Sequence, residues 1–307
     1  MGPKDHLRDV GIPCVHDLPG VGSSLVSNLT ELSDEQQDHF HVPVNYYVPI
    51  RDSAHRLLAN LFLFVFSLIQ FILFGNGLLL SIVTEYFAYF HTQKLPPNHD
   101  QTSLALPDVE LFWTAGYGSS IPPDFVHGKG AACIMVQCCV PKSTGTVRLS
   151  PAGAHDITVD PLVDPNYLSV PEDWQVYRRG ILFALEVGKE MANSGYALEE
   201  IHPLESTSPE DLDAFIRQYG FTGQHPLSSC RMRPLAEGGV VDQELKVHGI
   251  RGLRIADGSV FPTIVASRPQ ATVVMVAEKC ADFIRESWKL DSICNGHTDW
   301  RVKQGLC

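Results

Sequence analysis

The stretch 253-LRIADGSVFPTIVASRPQATVVMVAEKCADFI-284 sets three local patterns in a fixed order. We predict a strand over residues 250–257 with Asp257 at its end, then a loop of small residues, then a helix from about Pro269 to Trp288. The N-terminus of a helix offers free backbone N–H groups to an anion or to the electron-rich edge of a cofactor. Strand, loop and helix in this order occur in many folds, so the surrounding sequence has to indicate the function.

A second candidate for chemistry is the stretch 224-QHPLSSCRM-232, in which a histidine precedes a proline. Pro226 biases His225 toward an extended backbone, and loops on a rigid scaffold are where working residues concentrate. An imidazole with an ordinary pKa near 6.5 can take a proton from an alcohol near neutral pH. Taken alone, however, His225 fits a structural role better, with its ring satisfied by a backbone carbonyl.

The composition excludes several classes of protein. The 307 residues carry a formal net charge of −12 without a basic run, which argues against a nucleic-acid partner and favours small molecules. An apolar fraction of 44% supports one large or two ordinary domains. The eight cysteines form no CxxC pair, so we predict buried free thiols and no metal site. The N-terminus shows no signal peptide, which favours a cytoplasmic protein and leaves secretion or membrane association open.

Residues 57–74 form an apolar segment in which Asn60, Ser67 and Gln70 are the polar side chains. Helical spacing places these three side chains on one face, as a thin polar stripe. A membrane span needs about 20 apolar residues, so we expect a buried or surface-lying helix before a true span. Gly75 supplies a C-terminal stop. Membrane association through residues 57–74 is the open alternative.

The remaining predicted elements describe an antiparallel sheet with flanking helices. In chain order they are helix 4–9, strand 13–16, strands 107–117, 131–140 and 144–150, a proline-punctuated connector 156–169, and helices 172–195 and 208–220. The last helix has the clearest start, because Ser208 is a good N-cap and Pro209 suits the first turn.

Four longer stretches of the chain match known sequence patterns, and they occur in the same order as those patterns do. The stretch 225-HPLSSCRM-232 resembles the pattern HPxGTCRM, and 240-VVDQELKVHGIRGLRIADGSVFP-262 is similar to VVDxxLxVHGxxxLRVADxSVFP. Nearer the start, 2-GPKDHLRDVGIPCVHDLPGVGSSL-25 resembles GPxxHLxxxGIPVxxDLPGVGxNL, and 75-GNGLLLSIVTEYFAYF-90 resembles GxGPLxxxxxExxAF. Over nearly its whole length, the chain resembles the C-terminal part of the glucose-methanol-choline (GMC) flavoprotein oxidoreductases.

The resemblance implies an FAD-dependent enzyme that oxidises CH–OH groups. His225 matches the family's active-site base, which takes the hydroxyl proton while a hydride passes to N5 of the flavin. The aromatic stretch 110-ELFWTAGYG-118 lies where the family lines its pocket, so a primary or aromatic alcohol is the expected substrate. The cofactor-contacting strand end and the helix start that faces the flavin N1/O2 edge match Ala256, Asp257, Gly258, Pro269, Gln270 and Ala271.

Arg268 is a departure from the family pattern, which has His or Asn as a second active-site residue before this proline. Arginine stays protonated and cannot share the work of a base. A protonated Arg268 can instead pair with an alkoxide, with a substrate carboxylate or with the reduced flavin. The alternative is that Arg268 points to solvent and that the site is inactive.

A second departure concerns the nucleotide-binding part of the family. Members are about twice as long, and the other half holds a βαβ unit with a GxGxxG turn, which does not occur in this sequence. The chain alone should therefore hold FAD weakly, and an N-terminal FAD-binding half is an expected partner. A polar insertion at 26–36, with a glycosylation sequon at Asn28, interrupts the family pattern GVGxNLxDH.

These observations predict an α+β chain: an antiparallel-sheet substrate domain flanked by helices, plus the C-terminal portion of an FAD-binding α/β domain whose N-terminal βαβ is missing. The expected segments are 1–39 as the end of the FAD-binding domain, 40–221 as the substrate domain, 222–288 as the return to the FAD-binding domain, and 289–307 as a polar tail. The expected function is alcohol oxidation with FAD. The alternatives are an inactive remnant or partner subunit, and a hydroxynitrile lyase-like flavoprotein.

Overall fold

The structure, a computed structural model, describes residues 1–22, 37–80, 84–94, 106–118 and 128–288. The insertion at 26–36 and the polar tail, with Cys294 and Cys307, lie outside these residues. The helices are α1 (Lys4–Asp9), α2 (His55–Ala59), α3 (Leu61–Phe74), α4 (Pro171–Asn193), α5 (Pro209–Tyr219) and α6 (Gln270–Ser287). The strands are β1 (Phe40–Val48), β2 (Thr84–Phe90), β3 (Val109–Thr114), β4 (Gly130–Cys138), β5 (Thr146–Arg148), β6 (Leu162–Asp164), β7 (Glu199–Glu200) and β8 (Phe221–Thr222).

An antiparallel sheet organises the middle of the chain, and the predicted α+β class is confirmed. Its strand order is β2-β3-β4-β1-β7, with β8 also paired to β1. The sequence predicted β3 and β4, whereas β1 and β2 had no separate prediction. The register places Tyr89, Glu110, Gln137 and His41 side by side across β2, β3, β4 and β1. Four polar side chains therefore form one row on one face of the sheet.

The other face of the sheet carries the larger core. Helices α4 and α5 pack against it, and the buried apolar residues of this core run from Val42 in β1 to Ile216 in α5. At Gly180 the approach of α4 is close, because a Cβ there would lie 2.6 Å from Cγ1 of Val136. Both predicted helices are confirmed to within a few residues, and the side chain of Ser208 accepts a hydrogen bond from the backbone N of Asp211.

A second core lies between α6 and the loops of residues 227–264. Its buried members are Leu18, Leu227, Val240, Val241, Leu245, Val247, Val260, Phe261, Ile264, Val276 and Cys280. The strand predicted over 250–257 is wrong: only an isolated antiparallel bridge joins Lys246 to Arg254. The strand predicted over 13–16 is wrong as well, since a single parallel bridge joins Gly2 to Asp17. Each segment meets its neighbour through one bridge and a few backbone hydrogen bonds, which is too short a pairing to form a strand.

The apolar segment 57–74 is divided at Asn60, so the prediction of one continuous helix is wrong there. Asn60 has an extended backbone, and its side chain accepts a hydrogen bond from the backbone N of Leu63 as the N-cap of α3. Gly75 ends α3 in the left-handed conformation, with φ 61°. Ser67 is buried while most apolar side chains of α3 are exposed, so the helix lies at the surface. No helix in the described ranges is both long and apolar enough to cross a bilayer.

The predictions for the connector 156–169 and for the cysteines can also be compared with the structure. The connector 156–169 contains β6, which pairs with β5 in a separate two-stranded sheet that the sequence did not reveal. The described cysteines are free thiols, and four of the six are buried: Cys133, Cys138, Cys139 and Cys280.

Candidate active site

The loop that carries His225 is held by Asp38, which lies just before β1 and beside β8. After β8 the chain turns at Gln224, whose φ is 58°. The backbone N–H of His225 then donates to Oδ1 of Asp38 at 2.7 Å. Oδ2 of Asp38 accepts from the hydroxyl groups of Tyr167 and Thr222. Asp38 thereby joins three segments that are far apart in sequence, and it fixes the backbone position of His225.

The ring of His225 contacts two further histidines that precede and open β1. Its Nδ1 lies 3.0 Å from Nδ1 of His39, and the two rings meet edge to face. Nε2 of His39 lies 3.2 Å from the carbonyl oxygen of Cys139. The ring centroid of His41 is 6.0 Å from that of His225. Three imidazoles therefore meet at one end of the sheet.

The polar row across the sheet is hydrogen-bonded from one side chain to the next. The hydroxyl of Tyr89 donates to Oε1 of Glu110 at 3.1 Å, and Nε2 of Gln137 donates to Oε2 of Glu110 at 2.9 Å. The amide oxygen of Gln137 is then left for His41, whose Nε2–H donates to it at 2.6 Å. Every member has a partner, which is the condition under which a buried polar row is tolerated.

Arg268 closes this row on the side of the helix α6. Its guanidinium lies over the rings of Phe87 and Phe112, with 4.3 and 4.4 Å from Cζ to the two centroids. Nη2 lies 3.6 Å from Oε1 of Glu110, which is fully buried. Two aromatic faces and one carboxylate hold the guanidinium plane, and the side chain is 35% exposed. Arg268 is therefore ordered beside the histidines instead of extending into solvent.

Burial sets the charge states of these groups. It lowers the pKa of His39 and of His41 to about 4. The pKa of His225 is also lowered, mainly by burial. The charge of Arg268 adds to this shift, and the charge of Asp38 opposes it. The pKa of Glu110 is raised by burial and lowered by Arg268 and by the hydroxyl of Tyr89. At neutral pH the three imidazoles are therefore neutral, and Arg268 is the cation beside them.

The residues predicted to contact a cofactor lie next to the His225 loop. The backbone N of Ser228 donates to the carbonyl of Gly258 at 3.1 Å, and a Cβ on Gly258 would lie 2.5 Å from Leu227 and 3.5 Å from Val273 of α6. Asp257 is exposed and accepts hydrogen bonds from Ser259, while Ala256 is half-buried. Pro269 is the N-cap residue of α6, and Gln270 and Ala271 in its first turn are exposed. The structure thus brings these elements and His225 into one region.

Sequence reasoning missed several residues of this region, namely Asp38, His39, His41, Glu110 and Gln137. The pair Asp38-His39 was visible only as the end of an interrupted motif. A buried acid in a strand was a second signal, since Glu110 lies in an otherwise apolar run and an unpaired carboxylate there would be costly. The aromatic stretch 110–118 divides between the two faces: Phe112 contacts Arg268, whereas Trp113 lines an apolar cleft of about 430 Å³ on the α4 side.

Comparisons of the sequence with a family profile and with curated proteins point to the same family. The sequence profile described as GMC oxidoreductase matches residues 141–277. An oxygen-dependent choline dehydrogenase from Pectobacterium carotovorum is 32% identical over 298 residues, which cover 93% of this chain and 47% of that protein. Dehydrogenase str4 from Strobilurus tenacellus is 29% identical over 315 residues, with 93% and 48% covered.

Solved structures share the fold. A formate oxidase from Aspergillus oryzae superimposes with a TM-score of 0.79 at 23% identity, covering 94% of this chain and 51% of that one. A fungal aryl-alcohol oxidase gives a TM-score of 0.74 at 22% identity, with 94% and 52% covered. The chain spans about half the length of the relatives it matches. The family profile and the curated relatives agree that this chain belongs to the GMC oxidoreductase family.

Proposed function

We propose that the chain forms the proton-accepting, substrate-side half of an FAD-dependent oxidoreductase that acts on CH–OH groups. The observation that carries this proposal is the placement of a neutral imidazole, His225, in the same region as the cation Arg268 and the open N-terminus of α6. A base and a fixed positive charge are what alcohol oxidation needs beside its hydride acceptor. Choline, formate and aryl alcohols are substrates named for similar proteins, and they are the first donors to test.

The residues at the start of α6 fit a flavin. No side chain caps this helix, and Gln270 and Ala271 are exposed in its first turn, so N–H groups are available to the electron-rich edge of the ring. Val274 and Met275 are exposed on the next turn and offer an apolar surface. When bound, FAD supplies the acceptor for the hydride that leaves the carbon. No GxGxxG turn occurs in the sequence, so we propose that polypeptide outside these residues holds the cofactor phosphates.

The chain's own residues then divide the work at the hydroxyl group. His225 accepts the hydroxyl proton, because burial and Arg268 keep the ring neutral and ready to be protonated. Arg268 stabilises the negative charge that develops on the substrate oxygen as the proton leaves. Phe87, Phe112 and Glu110 hold its guanidinium plane, so the cation is in place before the reaction. This arrangement also accommodates a donor with a carboxylate, since arginine binds carboxylates with two parallel N–H groups.

The test is reduction of added flavin by candidate donors under anaerobic conditions, with alcohols as the donors that the proposal favours. Purified chain is mixed with excess FAD and with choline, formate or an aryl alcohol, and flavin absorbance is followed. We expect bleaching with at least one donor, and a 10²- to 10⁴-fold slower rate for His225→Gln. His155→Gln, which alters an exposed histidine, is the matched control and should react like the parent. Equal rates for His225→Gln and the parent would contradict the assignment of the base.

The second candidate, a non-catalytic remnant, finds less support. Its main argument was Arg268 in place of His or Asn, together with the absent nucleotide turn. Arg268 is instead held over Phe87 and Phe112 and beside Glu110, close to the imidazole of His225, which favours a maintained site. A chain that never takes up flavin, even in excess, would rule out activity of these residues on their own.

A further inference from the structure

His39 links a main-chain carbonyl to the imidazole of His225. Its Nε2 lies 3.2 Å from the carbonyl oxygen of Cys139, and its Nδ1 lies 3.0 Å from Nδ1 of His225. A carbonyl oxygen only accepts hydrogen bonds, so Nε2 of His39 carries the proton in the first contact. A neutral imidazole has one N–H, so Nδ1 of His39 has the lone pair. The proton shared by the two rings therefore belongs to Nδ1 of His225.

We propose that His39 is a positioning residue that holds His225 as its Nδ1–H tautomer, with the lone pair on Nε2. Its role in catalysis rests on the proposed function, in which Nε2 of His225 is the atom that accepts the hydroxyl proton. In the described part of the chain, Nε2 of His225 has no hydrogen-bond partner, so it is available for a substrate. The contact with Asp38 holds the backbone of His225, and the contact with His39 holds its ring.

The neutral state of His39 keeps this arrangement stable over a wide pH range. His39 is fully buried, and burial lowers its pKa to about 4. If both nitrogens of His39 carried protons, Nδ1 would become a donor and could no longer accept from His225. Between pH 5 and 8 His39 therefore acts as an uncharged acceptor, unlike the carboxylate that orients a histidine in a Ser-His-Asp triad. The charged groups facing the two rings are Asp38 and Arg268, and the neutral ring of His41 is the third neighbour.

The test reads the tautomer directly and needs no flavin. The chain is labelled with ¹⁵N-histidine, and long-range ¹H–¹⁵N spectra at pH 7.5 distinguish protonated from bare ring nitrogens; His225→Gln identifies the signals of His225. We expect a protonated Nδ1 and a bare Nε2 in the parent. His39→Gln should keep this pattern, because its amide can donate to Cys139 and accept from His225. His39→Leu removes the acceptor and should move the proton of His225 to Nε2.

A protonated Nε2 on His225 in the parent chain would overturn the proposal, and so would an unchanged His225 tautomer in His39→Leu. The parent spectrum decides even where His39→Leu fails to fold, because it shows the tautomer without any substitution. If the predicted tautomer is found but no alcohol reduces added flavin, the proposed function fails while this inference stands. The two failures are therefore distinguishable.

An independent observation concerns the exposed surface of α3. The α3 surface consists of Leu58 and the apolar side chains of residues 61–74, of which Phe62, Ile72 and Phe74 are 81%, 68% and 70% exposed. Together they expose on the order of 1,000 Å² of apolar area, where the largest patch on a typical monomer is about 300–600 Å². The polar side chains point the other way: Ser67 is buried and Gln70 packs beside Gly77.

We propose that the α3 surface rests in the interface of a phospholipid bilayer. No residue from 57 to 84 is charged, so the α3 surface itself carries no charged group, unlike the rim of a protein–protein interface. Each end of α3 carries a cap, with the side chain of Asn60 accepting from the backbone N of Leu63 and the backbone N of Gly75 donating to Phe71, which lowers the number of unpaired backbone groups in a lipid environment. Fourteen residues make a helix of about 21 Å, which is shorter than the apolar core and suits a helix lying in the interface plane. Arg56, on the adjoining α2, offers a cation to headgroup phosphates.

Vesicle sedimentation tests this proposal. The chain is mixed with phosphatidylcholine vesicles containing one-fifth phosphatidylserine, and bound protein is measured in the pellet. We expect the parent to sediment, and the triple variant Phe62→Gln, Ile72→Gln, Phe74→Gln to bind at least tenfold more weakly. The matched control replaces three exposed apolar residues elsewhere, Val15→Gln, Ile157→Gln and Leu235→Gln, and should sediment like the parent.

Two results would overturn the bilayer assignment. One is a parent chain that stays in the supernatant. In that case, a dimer that the α3 triple variant converts to a monomer would identify a second copy as the occupant of the surface. The other is a triple variant that sediments as well as the parent.

Discussion

Acidification should destabilise the folded chain through His39 and His41. Burial lowers the pKa of each ring from 6.5 to about 4, so the unfolded chain binds more protons than the folded chain between these values. The stability that the folded chain gains by keeping these rings neutral is fully present above pH 6.5. The free energy of unfolding falls as the pH drops from 6.5 toward 4. Between pH 7.5 and pH 5.0 the loss is about 2 kcal/mol for each ring, from a limiting slope of about 1.36 kcal/mol per pH unit. The two losses together come to about 4 kcal/mol, because both rings stay largely neutral in the folded chain over this range.

Urea unfolding at pH 7.5 and 5.0 measures this loss, followed by far-UV circular dichroism. The variant His41→Gln removes one titrating group while its amide can still donate to Gln137, so its loss between the two pH values should be smaller by about 2 kcal/mol. Glu110 has a raised pKa and acts in the opposite direction, but it is present in both proteins and its contribution largely cancels in the difference. His155→Gln is the control for removal of an exposed histidine. Equal free energies of unfolding at the two pH values, or an unchanged loss in His41→Gln, would refute the reasoning.

Three further predictions follow from individual contacts. Arg268→Gln removes the cation that lowers the pKa of His225, so the His225 pKa should rise when it is measured by NMR titration, whereas Arg217→Gln, which alters an arginine on α5, should leave it unchanged. Gly180→Ala should destabilise the chain by about 1–3 kcal/mol in urea unfolding, because its Cβ would lie 2.6 Å from Val136; no loss would mean that α4 can move away. Ser208→Ala should cost about 1 kcal/mol by losing the cap of α5, and Ser208→Asp should retain most of it; equal stability of all three proteins would contradict the capping role.

The sequence predicted what local chemistry determines. Ser208 and Pro209 marked the start of α5, Gly75 marked the end of α3, and the apolar run of β4 marked a buried strand. The segment 250–257 misled because spaced apolar residues indicate an extended backbone without saying how far a neighbour will pair with it. The division at Asn60 was equally hidden, since the same residue can lie within a polar stripe or cap a helix. The predictions held where the residue type at a position is compatible with a single local structure.

The candidate site depends instead on strand register, which no local pattern encodes. Gln137 pairs with Glu110 on one side and with His41 on the other, over sequence separations of 27 and 96 residues. Side chains alternate between the faces of a strand, so a slip of β4 by one residue would replace Gln137 in this row by Val136 or Cys138. Glu110 would then lose a donor while buried, and His41 would lose its acceptor, each at a cost of about 1–3 kcal/mol or more. The register that fills the apolar core on the α4 face is therefore the same one that satisfies the polar row, and through it Arg268 and the histidines are placed.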